Sequence, residues 1–274
     1  MAQFARLLVG LLSLAVVAAA CGGDDTDDSD ATPSEADGGV AAEGPSRSEG
    51  CGTVAAAGTG EHRMVSIAVD DRDRSYVLYT PAGLAADEAA PLVLVHHGFP
   101  GTAEDMARVV DFDETADAEG FMVAYPDAGD GEWNLGDQTD TTYLAAVIDD
   151  VAASSCVDLA RVHAVGFSQG GHMAGLLGCV HPDRVAAVGA VAAWTSPVLD
   201  PACPEAVSMP TVFIVGTNDA LAPPDEGYEC VGAPDCSVGP IAEESDAWAA
   251  TNGCDPEPVE TTTDDDAQRW EYSC

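Results

Sequence analysis

Residues 162–171, Val-His-Ala-Val-Gly-Phe-Ser-Gln-Gly-Gly, constrain this chain more than any other stretch. A short run suited to a buried strand meets two glycines that bracket Phe167-Ser168-Gln169. Met173, Leu176, Leu177 and Val180 then follow at helical spacing. The pattern predicts a strand, a tight turn and a helix. Its centre, Gly166-Phe167-Ser168-Gln169-Gly170, is a G-x-S-x-G motif. The glycines remove Cβ atoms that would collide in so sharp a reversal. A serine on such a turn holds its hydroxyl exposed beyond the end of a sheet, as a weak hydroxyl nucleophile requires. The backbone N–H of Gln169, opening the helix, points at any oxyanion that develops beside it. The bland alternative is an ordinary turn whose serine only caps the helix.

The surrounding pattern supports the first reading. Residues 65–69 and 76–80 alternate as half-buried strands around an Asp-rich turn, an antiparallel opening pair. Residues 91–95 are continuously apolar, as in a parallel strand covered on both faces. A helix is expected over 103–118, a strand over 121–125, and a helix over 142–154 with Leu144, Val147, Ile148 and Val151 on one face. Strands at 185–193 and 211–215 and a helix at 242–251, ended by Asn252-Gly253, complete the set. The fold class is therefore α/β: a mostly parallel central sheet with helices on both faces and antiparallel opening strands.

Catalytic groups in such sheets lie beyond the C-terminal strand ends. That rule selects residues 97–99, Ser168 and the segment after Val215. Asp219 stands just past a strand and about 50 residues after the serine, where an acid can orient a histidine. It is one of 48 acidic residues, so position carries the assignment and residue type does not. A backbone N–H from the loop at 97–99 supplies a second oxyanion donor, and Phe99 is the candidate for it. His97 is the other group near the pocket, although histidines here are expected mainly to bond loop backbone. Trp133, in a Gly-rich loop after a core strand, either lines the substrate pocket or covers the sheet end.

Charge and cysteine content bound the setting. The net charge is −39, with no lysine and nine arginines, which opposes nucleic acid and anionic lipid as partners. Arg6, an apolar run over 7–20 and Cys21 read as an export signal. Ala18-Ala19-Ala20-Cys21 resembles a lipoprotein signal with Cys21 as the lipidated residue; plain secretion with cleavage near Ala20 is the alternative. Residues 21–50 are acidic and nearly devoid of apolar side chains, an expected disordered linker. The domain plan is thus a signal over 1–20, a linker over 21–50 and a folded domain over 51–274, in an extracellular setting. Membrane contact is expected only through the lipid anchor. Nine cysteines in an exported chain imply disulfides, and setting Cys21 aside leaves eight. Cys230–Cys236 closes a small loop, and Cys254–Cys274 ties a helix end to the last strand. The pairing among Cys51, Cys156, Cys179 and Cys203 is open; Cys51–Cys156 with Cys179–Cys203 is the expected set. No metal site or cofactor is expected.

Several motifs together resemble the secreted polyhydroxybutyrate depolymerase and feruloyl esterase group, carbohydrate esterase family 1-like α/β-hydrolases. They are Ser75-Tyr76-Val77-Leu78-Tyr79-Thr80-Pro81, the segment 91–98, Tyr125-Pro126-Asp127, Cys156-Val157-Asp158, the Ser168 motif with Gly171-His172-Met173, Gly216-Thr217-Asn218-Asp219, and Asn252-Gly253-Cys254. The resemblance implies Ser168 as nucleophile, Asp219 as triad acid, and an ester substrate. That substrate would be a hydroxy-acid polyester or a feruloyl or acetyl ester of a plant-wall polysaccharide. It also implies a histidine after the acid in chain order. All six histidines precede Asp219. The expectation is a serine esterase truncated before its histidine; the alternative is an inactive, surface-tethered binding protein on the same fold.

Overall fold

The computed structural model describes residues 47–53, 56–197, 206–230, 236–263 and 267–274. Seven strands form one sheet: β1 (His62–Val69), β2 (Arg72–Tyr79), β3 (Ala90–His96), β4 (Met122–Pro126), β5 (Val157–Phe167), β6 (Ala187–Val191) and β7 (Thr211–Ile214). Their order is β1-β2-β4-β3-β5-β6-β7. β1–β2 and β2–β4 pair antiparallel, whereas β4, β3, β5, β6 and β7 are parallel to one another. The expected opening pair and parallel core are both present.

Helices α1 (Ala103–Val110) and α2 (Asp113–Glu119) cover one face, while α3 (Thr139–Ser154) and α4 (Gln169–Val180) cover the other. The alternation of a strand sends its neighbours to opposite faces. Tyr76, Leu78, Leu92 and Leu94 therefore enter one core with Leu144, Ile148, Met173 and Leu177. Val77, Tyr79, Val93 and Val95 enter the second with Ala103, Ala107, Phe112 and Ala116. This double burial explains why β3 reads as a continuous apolar run. Trp248 of α5 (Ile241–Asn252) joins the first core.

Three expectations need correction. The single helix over 103–118 is two helices. Asp111 takes a left-handed conformation (φ 50) with its N–H on Ala107 O, and Phe112 turns fully into the core. The linker boundary at residue 50 is also too late. Arg47 bridges Asp158, the buried Ser48 donates its N–H to Val157 O at 3.0 Å, and Gly50 donates to Ala152 O at 2.9 Å. Residues 47–50 thus belong to the packed domain, which a polar sequence hides because its bonds go to backbone. Finally, the C-terminal region carries hairpin β10 (Val259–Thr262) and β11 (Gln268–Glu271), not one strand, and a further two-residue pair, β8 (Tyr228–Glu229) with β9 (Ser237–Val238). Disulfides Cys51–Cys156, Cys230–Cys236 and Cys254–Cys274 are formed as expected. For the fourth pair, Cys203 lies outside the described residues, as do the signal, Cys21 and most of the linker.

Candidate active site

β5 ends at Phe167 and α4 begins at Gln169, leaving Ser168 at the tip of the turn with φ 53 and ψ −122. A non-glycine residue at positive φ is strained and persists only where its surroundings over-determine it. Here they do. The Ser168 N–H bonds Val191 O of β6 at 2.8 Å, and Ser168 O accepts the Gly171 N–H at 2.8 Å. A Cβ on Gly166 would stand 2.1 Å from Gly170 O, and one on Gly170 would stand 2.4 Å from both His96 O and His97 O. Both motif glycines are thus required by close backbone approach. The start of α4 rests directly on the end of β3.

The loop after β3 is braced from beneath. His97 is buried, and both ring nitrogens are engaged: Nε2 accepts the Ala128 N–H at 3.1 Å, so Nδ1 carries the proton and donates to Gly98 O at 2.9 Å. Trp133 is also fully buried; its indole N–H donates to His97 O at 2.8 Å and its ring lies 4.8 Å from the imidazole. Of the two sequence readings of Trp133, the structure supports the one in which it covers the sheet end. Gln169 supplies the link that sequence reasoning missed. Its side-chain amide accepts the Trp133 N–H at 2.9 Å and donates to Trp133 O at 3.2 Å. The turn bearing Ser168 and the loop bearing Phe99 are thereby fixed to a common partner. A polar residue at a buried helix start was the only signal available in the sequence.

The loop over 127–137 is anchored by a buried ion pair. Arg74 of β2 meets Asp140 of α3 at 2.8 Å, with both side chains nearly inaccessible. Asp140 also accepts the Asn134 N–H at 2.8 Å, and Arg74 donates to Asp127 O at 3.2 Å while lying 3.9 Å over the Tyr143 ring.

Asp219 follows β7 in a turn closed by its N–H on Gly216 O at 3.1 Å. Its Oδ1 accepts the N–H groups of Leu221 and Ala222 at 2.9 and 3.0 Å. Behind it, burial raises the Tyr228 phenol above its ordinary pKa, and the Asp219 and Glu244 carboxylates add to the rise. The Tyr228 hydroxyl donates to Trp194 O and accepts the Trp194 N–H, so the His172 Nε2 at 2.9 Å is its second donor. His172 Nδ1 faces Cys230 Sγ at 3.8 Å. The remaining histidines are engaged or placed elsewhere: His62 pairs with Asp113, His96 Nδ1 bonds Val165 O, His163 lies within β5 and His181 follows α4. Among the described residues, none of the side-chain hydrogen bonds of these six histidines reaches Ser168 or Asp219; only the His172 backbone N–H does, on Ser168 O at 3.4 Å.

Burial lowers four of these histidines below the ordinary imidazole value, His163 and His181 as well as His96 and His172, the last two most clearly. Burial lowers His96 and His172 to about 4, from an unfolded value near 6.5. Each neutral imidazole contributes on the order of 3 kcal/mol in full above pH 6.5, lost as pH falls towards 4 because the unfolded chain binds the proton first. Denaturant midpoints are expected to drop between pH 6.5 and 4. His172→Gln, which keeps a donor for Tyr228, is expected to flatten that slope without abolishing it. An unchanged slope would place the pH response elsewhere.

Residues 91–204 match the family model of the alpha/beta hydrolase fold. The fold is that of the α/β hydrolases. The chain is 29% identical to feruloyl esterase B of Piromyces equi over 210 residues, 72% of this chain and 39% of that protein. It is 34% identical over 173 residues to an esterase of Nocardia uniformis subsp. tsuyamanensis, covering 58% of this chain and 49% of that one. The chain thus spans half or less of the length of these two relatives. Among solved structures, the acetyl xylan esterase from Aspergillus awamori superposes with a TM-score of 0.60 at 16% identity, covering 78% of this chain and 89% of its own. That likeness supports the fold.

Proposed function

We propose that this hydrolase cleaves carboxylic esters through an acyl-enzyme. The observation that carries the reading is Ser168 held at φ 53 between β5 and the N-terminus of α4. In this reading the Ser168 hydroxyl attacks the ester carbonyl, and the N–H groups of Phe99 and Gln169 receive the oxyanion. Asp219 orients a histidine that takes the serine proton and returns it to the leaving alcohol; water then releases the acid. Among the described residues, no side-chain hydrogen bond of the six histidines reaches Ser168 or Asp219, so the base is assigned to none of them. The names of the relatives point to feruloyl or acetyl esters of plant-wall polysaccharide, and a polyhydroxybutyrate-type polyester is the other substrate in view. Export, with lipidation at Cys21 or free secretion, completes the proposal.

One observation favours a second reading, an inactive surface-tethered binding protein: among the described residues, the side-chain hydrogen bonds of Asp219 go to Leu221 and Ala222 N–H and to no histidine. Imidazole separates the two. As a diffusible base it is expected to promote fluorophosphonate labelling at Ser168, and p-nitrophenyl acetate hydrolysis beyond what imidazole gives in free solution; Ser168→Ala is expected to lose the labelling and fall to residual hydrolysis. The oxyanion donors and binding alone supply about 10³–10⁴ over water, which sets the scale of the Ser168→Ala residual. Labelling that is independent of Ser168, or absent, would reject ester hydrolysis in favour of the binding reading.

A further inference from the structure

Three large apolar side chains stand in the open where the chain leaves the C-terminal edge of the sheet: Phe99 is 48% exposed, Phe167 46% and Leu221 92%. Each adjoins a proposed functional group. Phe99 carries an oxyanion donor on its own backbone, Phe167 precedes Ser168, and Leu221 follows Asp219 by two residues. Single exposed apolar residues need no explanation, but a group of them around a strained serine does. Of the phenylalanines among the described residues, only Phe99 and Phe167 are exposed. Their placement is built in. The Phe167 ring lies against Gly98, where a Cβ would stand 2.9 Å from Phe167 Cδ1, so glycine there lets the ring rest on the neighbouring loop. The Leu221 N–H is fixed on Asp219 Oδ1 at 2.9 Å, while the next residue, Ala222, turns into the core.

The loops that follow the strands at this edge carry acids and no arginine; Arg74 reaches them from beneath, where it is buried against Asp140 and Asp127 O. Residues 97–102, 127–138, 192–197 and 215–222 follow β3, β4, β6 and β7; they contain no arginine, and they include Asp127, Asp130, Glu132, Asp137 and Asp219. The turn at 130–132 abuts the Phe99 loop through the Gly101 N–H on Gly131 O at 3.3 Å. A second anion brought here meets like charge within roughly a Debye length, about 8–10 Å at physiological salt.

We infer that Phe99, Phe167 and Leu221 form an apolar rim for the acyl group of an uncharged ester, and that the acidic loops reject acyl groups ending in a carboxylate. The inference rests on the ester reading above and narrows its substrate class.

Ethyl hexanoate and monoethyl adipate test it, because they share a six-carbon acyl chain and differ in one terminal carboxylate. Saturation-transfer NMR with the Ser168→Ala chain reads binding without turnover. The hexanoyl protons are expected to be saturated. Phe167→Ser and Leu221→Ser are each expected to reduce that signal about threefold or more, the scale of losing one apolar contact. Both sites are exposed, so unchanged thermal unfolding serves as the folding control. Monoethyl adipate is expected to stay near baseline at low salt and to gain signal at 1 M salt, where screening is nearly complete. Rim variants that bind hexanoate undiminished, or adipate bound as well as hexanoate at low salt, overturn the inference. Rim-dependent binding without any Ser168-dependent hydrolysis would instead retain the rim and remove the reaction.

Discussion

Gly170→Ala is expected to disable the Ser168 turn while leaving a folded, weakened domain. The added methyl would stand 2.4 Å from two backbone oxygens, those of His96, which ends the central strand β3, and of His97 just after it. Neither can give way without moving the sheet, so α4 must shift by about 1 Å to restore van der Waals contact. Overpacking of this kind costs about 1–3 kcal/mol of stability. The larger effect falls on chemistry. The shift carries Ser168, the Gln169 N–H and the Gln169 clasp on Trp133 away from one another, and misplacement of about 1 Å costs on the order of 10² in rate. The expected result is a modest fall in denaturant midpoint and about a hundredfold slower imidazole-promoted labelling of Ser168. Gly83→Ala is the control, since nothing lies within 4 Å of a Cβ there. Equal labelling rates for Gly170→Ala and the control would show that this contact does not position the serine.

Asp140→Ala is expected to be the most destabilising single change in the network behind the site. It leaves the Arg74 guanidinium buried without its carboxylate and also removes the acceptor for the Asn134 N–H. Breaking one side of a buried pair costs about 3–5 kcal/mol, chiefly because a charge remains uncompensated in a dry interior. Replacing both partners with apolar residues, as in Arg74→Met with Asp140→Leu, is expected to recover much of that loss. Urea unfolding of the single and double variants reads the difference. A double variant as unstable as Asp140→Ala would assign the cost to the loop contacts, not to the stranded charge. The loop over 127–137 carries Trp133, so loosening it is also expected to slow labelling at Ser168.

How far such a site is legible in sequence depends on the range of the forces that make it. The turn at Ser168 is local: two glycines, a strand run before and a spaced apolar helix after specify it within twenty residues. The parallel core is nearly as plain, because β3 is buried on both faces and its composition records that. The break at Asp111 is harder to foresee. Alanines and acids continue on both sides of it, and only the insertion of Phe112 into the second core forces the chain to turn. Residues 47–50 read as linker because Ser48 and Gly50 are held by backbone hydrogen bonds, which leave no hydrophobic trace. β10 is exposed along its whole length and shows no alternation. The clasp of Gln169 on Trp133 spans 36 positions in sequence and follows from the fold, not from any local pattern.

The attachment of residues 47–51 bears on how the domain would be presented. This segment is fastened to the beginning of β5, through the Arg47–Asp158 bridge and the Cys51–Cys156 disulfide, whereas Ser168 follows the end of the same strand. Because β5 pairs along β3 from Ala90↔Val157 to His96↔Gly166, with a bulge near its start, these points lie about 20 Å apart. Arg47 therefore sits at the pole of the domain opposite the serine. If that end is fixed to a cell envelope, the reactive hemisphere looks outward, towards material too large to diffuse beneath it.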